Sequence, residues 1–186
     1  MAGIIHSPPH PPKRRPSMRI FFSLLCVVTA LVLSTANAHA DQAIVVDFTT
    51  GELSVVTDTG ETLFSTLVVL PKRDYYPLPA SGLVTDAMMG PTWSPTPNTR
   101  AQNPGRYKPF YAAYEAGNAM GHCKLTIDFD QTDPELDYVR IHGHGQPEDL
   151  GERHSRGCIR MPDAVCETMI DLVNQYEGAT WVSFQY

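Results

Sequence analysis

Cys158 stands in the run Ser155-Arg156-Gly157-Cys158-Ile159-Arg160-Met161, and His142 lies sixteen residues ahead of it in Ile141-His142-Gly143-His144-Gly145. A thiol at its ordinary pKa of about 8.5 is only a few per cent thiolate at neutral pH, so a nucleophilic cysteine needs a base to take its proton. An imidazole suits that task because it titrates near neutrality. Gly157 permits a tight turn in which successive backbone N–H groups converge on one point, the geometry that stabilises the oxyanion of acyl transfer. The same residues are compatible with an inert buried thiol and a hydrogen-bonded strand-end histidine. His122, His144 and His154 compete with His142 for the role of base, and composition does not rank them. Arg160 offers a guanidinium that could grip a carboxylate through two parallel hydrogen bonds, or simply form a surface ion pair. A zinc site built from these histidines and Cys158 is the rival chemistry, but no CxxC or HExxH spacing occurs.

Elements able to position such a pair can be read around it. Lys13, Arg14, Arg15 and Arg19 precede an uncharged apolar run from Ile20 to Leu33, and Ala38-His39-Ala40 follows. This pattern predicts a secretory signal peptide over residues 1–40, cleaved after Ala40; the run is short of the ~20 residues that span a bilayer. Residues 41–186 then form one domain, with ten basic against twenty acidic residues. An acidic exported domain with no basic patch does not suit nucleic acid. The location implied is the periplasm or cell envelope. Three of the four cysteines lie beyond residue 40, and an odd number in an exported chain points to one free thiol. Pairing Cys123 with Cys166 would leave Cys158 free; three unpaired thiols are the alternative, and spacing does not decide between them.

Along the domain, Ala43 to Phe48 and Glu52 to Thr57 alternate as strands, with Leu53 and Val55 on one face. Asp58-Thr59-Gly60 reads as a hairpin turn into a third strand, Thr62 to Leu70. Eight prolines between Pro71 and Pro109 predict an ordered loop region around one short strand near Leu83-Val84, packed by Trp93, Tyr107, Phe110, Tyr111 and Tyr114. Lys124 to Phe129 and Tyr138 to His142 read as further strands, the second ending at the histidine. Gly143 to Arg156 reads as a loop over the site. Pro162 and Asp163 suit the first turn of a helix with Val165, Met169, Leu172, Val173 and Tyr176 on one face, ended by Gly178. Thr180 to Phe184 is a closing strand.

Ile141-His142-Gly143, then Leu150-Gly151, then Ser155-Arg156-Gly157-Cys158-Ile159-Arg160-Met161 resemble the signature of the L,D-transpeptidase (YkuD-type) catalytic domain of bacterial cell-wall enzymes. Pro91 to Pro97 and Gly117 to Gly121 also resemble segments of that family, so the likeness covers about residues 43–184. It implies a mostly β fold, a mixed β-sheet sandwich or barrel-like domain with one helix after the nucleophile cysteine. It implies Cys158 as nucleophile and His142 as base, with Gly157, Ser155, Arg160 and Gly143 shaping the substrate and oxyanion subsites. No cofactor and no metal are implied. The substrate would be a peptidoglycan tetrapeptide stem, cleaved between diaminopimelate and D-alanine through a Cys158 thioester. The acyl group would pass to the amine of a second stem, giving a 3–3 cross-link, or to an envelope lipoprotein. Water as acceptor would make the enzyme an L,D-carboxypeptidase or amidase. A monomer is expected. Two positions depart from the family pattern: Arg156 stands where many members have histidine, and His144 where threonine is frequent.

Overall fold

The computed structural model describes residues 41–72, 78–134 and 136–186; the signal-peptide expectation for residues 1–40 lies outside them. Ten strands and two helices succeed one another in the described chain: β1 (Gln42–Asp47), β2 (Glu52–Thr57), β3 (Thr62–Leu67), β4 (Leu70–Pro71), β5 (Ala80–Met89), α1 (Pro97–Gln102), β6 (Cys123–Phe129), β7 (Arg140–His142), β8 (Arg153–Ser155), β9 (Ile159–Arg160), α2 (Asp163–Gln175) and β10 (Thr180–Gln185). Eight of the strands form one curled mixed sheet in the order β3-β2-β1-β10-β5-β6-β7-β9, and β4 pairs with β8 apart from it. The class is the mostly β one that the sequence resemblance implies.

The alternation read in the first strands sets the core. Ile44 and Val46 of β1, Leu53 and Val55 of β2, and Val182 and Phe184 of β10 are all buried, while their neighbours along each strand are less so. Closure of the domain depends on β10, which lies parallel to β1 and antiparallel to β5. Helix α2 packs its Cys166, Met169, Ile170 and Val173 stripe onto the sheet, a spacing of one helical face. Each aliphatic side chain so buried contributes about 1.5–3 kcal/mol. The expected stripe shared only Met169 and Val173 with this one; Val165 and Leu172 flank it half-buried. The helix also stops at Gln175, with Tyr176 capping it, two residues before the expected Gly178.

The proline-rich stretch corrects the expectation most. Instead of a short strand near Leu83, β5 runs for ten residues and pairs on both sides, with β10 and with β6. No proline falls inside Ala80–Met89, so its backbone donors are all available to a central strand. Gly82 makes the close pairing with β6 possible, since a Cβ there would sit 2.4 Å from the Asp128 carbonyl oxygen. A short helix, α1, was also not expected; Thr96 caps it by accepting from Thr99 N–H at 3.1 Å, and Pro97 suits its first position. Arg140 is the first residue of β7, and Tyr138 instead ends a 3-10 turn, Leu136–Tyr138, whose Leu136 carbonyl accepts from the Val139 N–H at 3.0 Å.

Candidate active site

Two short strands bring the thiol and the imidazole to one place. β7 and β9 run parallel, with Ile141 opposite Ile159 and His142 opposite Arg160. Both isoleucines are fully buried on the core side. Side chains alternate along a strand, so His142 and Arg160, one residue on from the isoleucines, leave by the other face, as Cys158 does just before β9. That face opens into a cleft of about 400 Å³ lined by His142, Cys158, Ser155, Arg156 and Arg160 and also by His144, His154, Trp93, Thr99, Arg106, Tyr107, Ala119 and Met120.

His142 is buried, at 3% exposure, and its Nδ1 lies 2.8 Å from the carbonyl oxygen of Gly143. A carbonyl can only accept, so Nδ1 carries the hydrogen and Nε2 keeps the lone pair, the tautomer a general base requires. Burial lowers the His142 pKa to about 4, the Gly143 carbonyl opposing and the Arg160 charge reinforcing the shift. Cys158 is the free cysteine. Burial pushes its thiol up, against the pull of the Arg140 backbone amide and of the Arg140 and Arg160 charges. At neutral pH the resting pair is therefore an uncharged thiol and an uncharged imidazole. The Cys158 thiol donates to the Tyr138 carbonyl at 3.8 Å, and an uncharged thiol can react by handing its proton to a base as the new bond forms, rather than by storing a thiolate.

Ser155 shapes the loop that presents the thiol. Its buried hydroxyl donates to the carbonyl of Cys158 and accepts from the N–H of Gly157 at 3.3 Å. Gly157 adopts φ 136°, a region that favours glycine. Its amide points inward to Ser155, so of the adjacent Gly157 and Cys158 amides that of Cys158 is the one with no hydrogen-bond partner among the described residues. The loop is pinned at its far end by Arg160, which exchanges backbone hydrogen bonds of 2.7 and 3.0 Å with Val69.

Gly143 is buried behind the cleft, where its N–H donates to the Cys123 carbonyl at 3.1 Å and its own carbonyl orients His142. Next to it stands a residue that sequence reading noticed only as a helix start. Asp163 Oδ1 accepts from the backbone N–H of His122 at 2.9 Å and of His144 at 2.8 Å, tying two loops to the beginning of α2. A Cβ on Gly121 or Gly143 would come within 2.1 or 2.2 Å of that oxygen. Those glycines thus make room for the carboxylate, and an acid at the first position of a helix was the signal available for it. Cys123 and Cys166 form a disulfide that joins β6 to α2 beside this clamp, in agreement with the pairing that leaves Cys158 free.

The other histidines are placed differently. His154 Nδ1 holds Asp149 at 2.7 Å, and His122 Nδ1 holds Glu167 at 2.7 Å. His144 is exposed, with φ 61°. Among the described residues no group of three or more His, Cys, Asp or Glu side chains is arranged to hold a metal ion.

A curled mixed sheet thus presents a free cysteine and a histidine of fixed tautomer in one cleft. The chain belongs to the L,D-transpeptidase catalytic domain family (YkuD), whose model matches residues 41–182. Among solved structures it is similar to an L,D-transpeptidase from Mycobacterium smegmatis, with TM-score 0.55 and 15% identity, covering 79% of this chain and 59% of that one. It is likewise similar to L,D-transpeptidase 3 from Mycobacterium tuberculosis, with TM-score 0.54 and 14% identity over 79% of this chain and 62% of that one. The catalytic domain of the Enterococcus faecium L,D-transpeptidase, in a structure acylated by ertapenem, gives TM-score 0.52 and 20% identity over 77% of this chain and 96% of that domain. The chain thus spans about three fifths of the length of the mycobacterial proteins, while it matches nearly all of the isolated enterococcal domain. No curated protein matches it in sequence.

Proposed function

We propose that this domain is an L,D-transpeptidase that acts on peptidoglycan tetrapeptide stems, with Cys158 as nucleophile and His142 as general base. Cys158 Sγ attacks the carbonyl of the L-centre of diaminopimelate while His142 Nε2 takes the thiol proton. The C–N bond breaks, the proton passes from His142 to the departing D-alanine, and a thioester remains. The side-chain amine of a second stem then attacks the thioester, gives up its proton to His142, and the thiol is restored. The Cys158 amide is the donor proposed for the oxyanion. The observation that carries this reading is the free Cys158 sharing one cleft with a buried His142 whose Nδ1–H is fixed on the Gly143 carbonyl.

Purified protein incubated with tetrapeptide muropeptides should release D-alanine and form 3–3 linked dimers, and Cys158→Ala should do neither. Tripeptides without dimers would make water the acceptor and sink the transferase reading. We further propose that the domain works in the periplasm or cell envelope after loss of residues 1–40, on the strength of the basic residues and apolar run at the start of the chain. N-terminal sequencing of the protein recovered from cells should begin at Asp41; a protein that keeps residues 1–40 would contradict it.

A further inference from the structure

Among the described residues, Arg106, Arg156 and Arg160 all line the cleft and no Asp or Glu does, although acidic residues outnumber basic ones in the chain by twenty to fourteen. None of the three arginines has an ion-pair partner among the described residues. Asp149, near in sequence to the loop, is already held by His154. Arg160 Nε is enclosed by protein yet makes no hydrogen bond, and its charge reaches both His142 and Cys158. The Arg106 guanidinium lies 5.3 Å from the centre of the Tyr107 ring, which itself packs T-shaped with Trp93 at 5.4 Å between ring centres. No carboxylate of the described residues offsets these three guanidinia in the cleft lining, and guanidinium matches carboxylate in shape as well as charge.

From this lining we infer that the cleft selects an acyl donor carrying at least two free carboxylates. Arg160 binds one beside the reacting carbonyl, while Arg106 and Arg156 bind another toward the exposed side. Arg156, at a position where many members of the family have histidine, supplies a charge that does not depend on pH. The inference rests on the proposed acyl transfer, because it concerns the donor of that reaction. A donor in which the same carboxylates are carboxamides keeps the shape but loses the charge, and is disfavoured.

The test compares a tetrapeptide stem with free carboxylates against the same stem with its side-branch carboxylates amidated, following D-alanine release. The wild-type protein should prefer the free acid by about tenfold or more in kcat/KM, the scale of a charge-assisted hydrogen bond. Arg106→Gln and Arg156→Gln should each lose roughly three- to tenfold on the free acid and change little on the amide, narrowing the preference. Equal use of both donors by the wild type would overturn the inference while leaving acyl transfer intact. If neither donor is turned over, the proposed function is at fault; binding of both peptides to Cys158→Ala protein then decides the inference alone. Tighter binding of the free acid supports it, and equal binding overturns it.

Discussion

The cleft residues to which we assign the chemistry are tied into the sheet, whereas Trp93, Tyr107 and Met120 come from a long connection held by rings and turns. On the first side, His142 is fixed by strand pairing and the Gly143 carbonyl, and Ser155 staples the thiol loop. A disulfide and the Asp163 carboxylate hold the elements beneath. On the second side, Trp93 packs on Tyr107 and Tyr111, and buried Asn118 donates to the carbonyls of Pro91 and Ala112. Several of its residues, Arg106 and Tyr114 among them, are exposed. A reaction that depends on proton transfer needs sub-ångström placement, while a peptide substrate needs only a complementary surface. The first side should therefore govern turnover, and the second should govern binding.

The largest effect that would sharpen this contrast falls on the disulfide. Replacing Cys123 and Cys166 together by alanine should lower unfolding free energy by about 2–4 kcal/mol, as measured by chemical denaturation. A variant of unchanged stability would mean that the sheet holds α2 without it. Next comes Asp163. Asp163→Ala frees the His122 and His144 amides and should cut kcat by roughly ten- to a hundredfold with KM little changed, while Asp163→Asn, which keeps an acceptor oxygen, should recover most of the loss. A rise in KM alone would place Asp163 with the binding side. The state of His142 can be read from the acid limb of kcat/KM. Burial lowers its pKa to about 4, so the neutral base persists as pH falls until that region, and the limb should lie near 4. A limb near 6.5 would mean that the imidazole is solvated. The smallest effect is expected at Tyr107: Tyr107→Leu should raise KM a few-fold and spare kcat, and a fall in kcat instead would break the division between the two sides.

The candidate residues of the site could be picked out because the signals for them are local. The histidine at a strand end, the glycine before the cysteine and the odd thiol are features of short segments, and their likeness to a family signature chose His142 among four histidines. Long-range pairing was less legible. The strand-like Thr180 to Phe184 was clear, but nothing in it shows that it lies parallel to β1 and closes the sheet. Prolines at 71, 79 and 91 made their neighbourhood read as loop around one short strand near Leu83-Val84, although a proline removes only its own donor and Ala80–Met89 contains none. Asp163 escaped notice because its partners, Gly121 and Gly143 with the amides that follow them, meet only once two separate loops are folded. Of the three cleft arginines, Arg106 lies far in sequence from Arg156 and Arg160, and only Arg160 reads as a substrate contact, from its place two residues past Cys158.

An activated cysteine in the cleft is the centre of the account, and an acylating inhibitor tests it in one step. The intact mass of the protein should be taken after treatment with a carbapenem, followed by peptide mapping. The account predicts one adduct per chain, located on the peptide that contains Cys158, lost in Cys158→Ala and slowed at least a hundredfold in His142→Ala. An unshifted mass, or an adduct that survives the loss of Cys158, would contradict it.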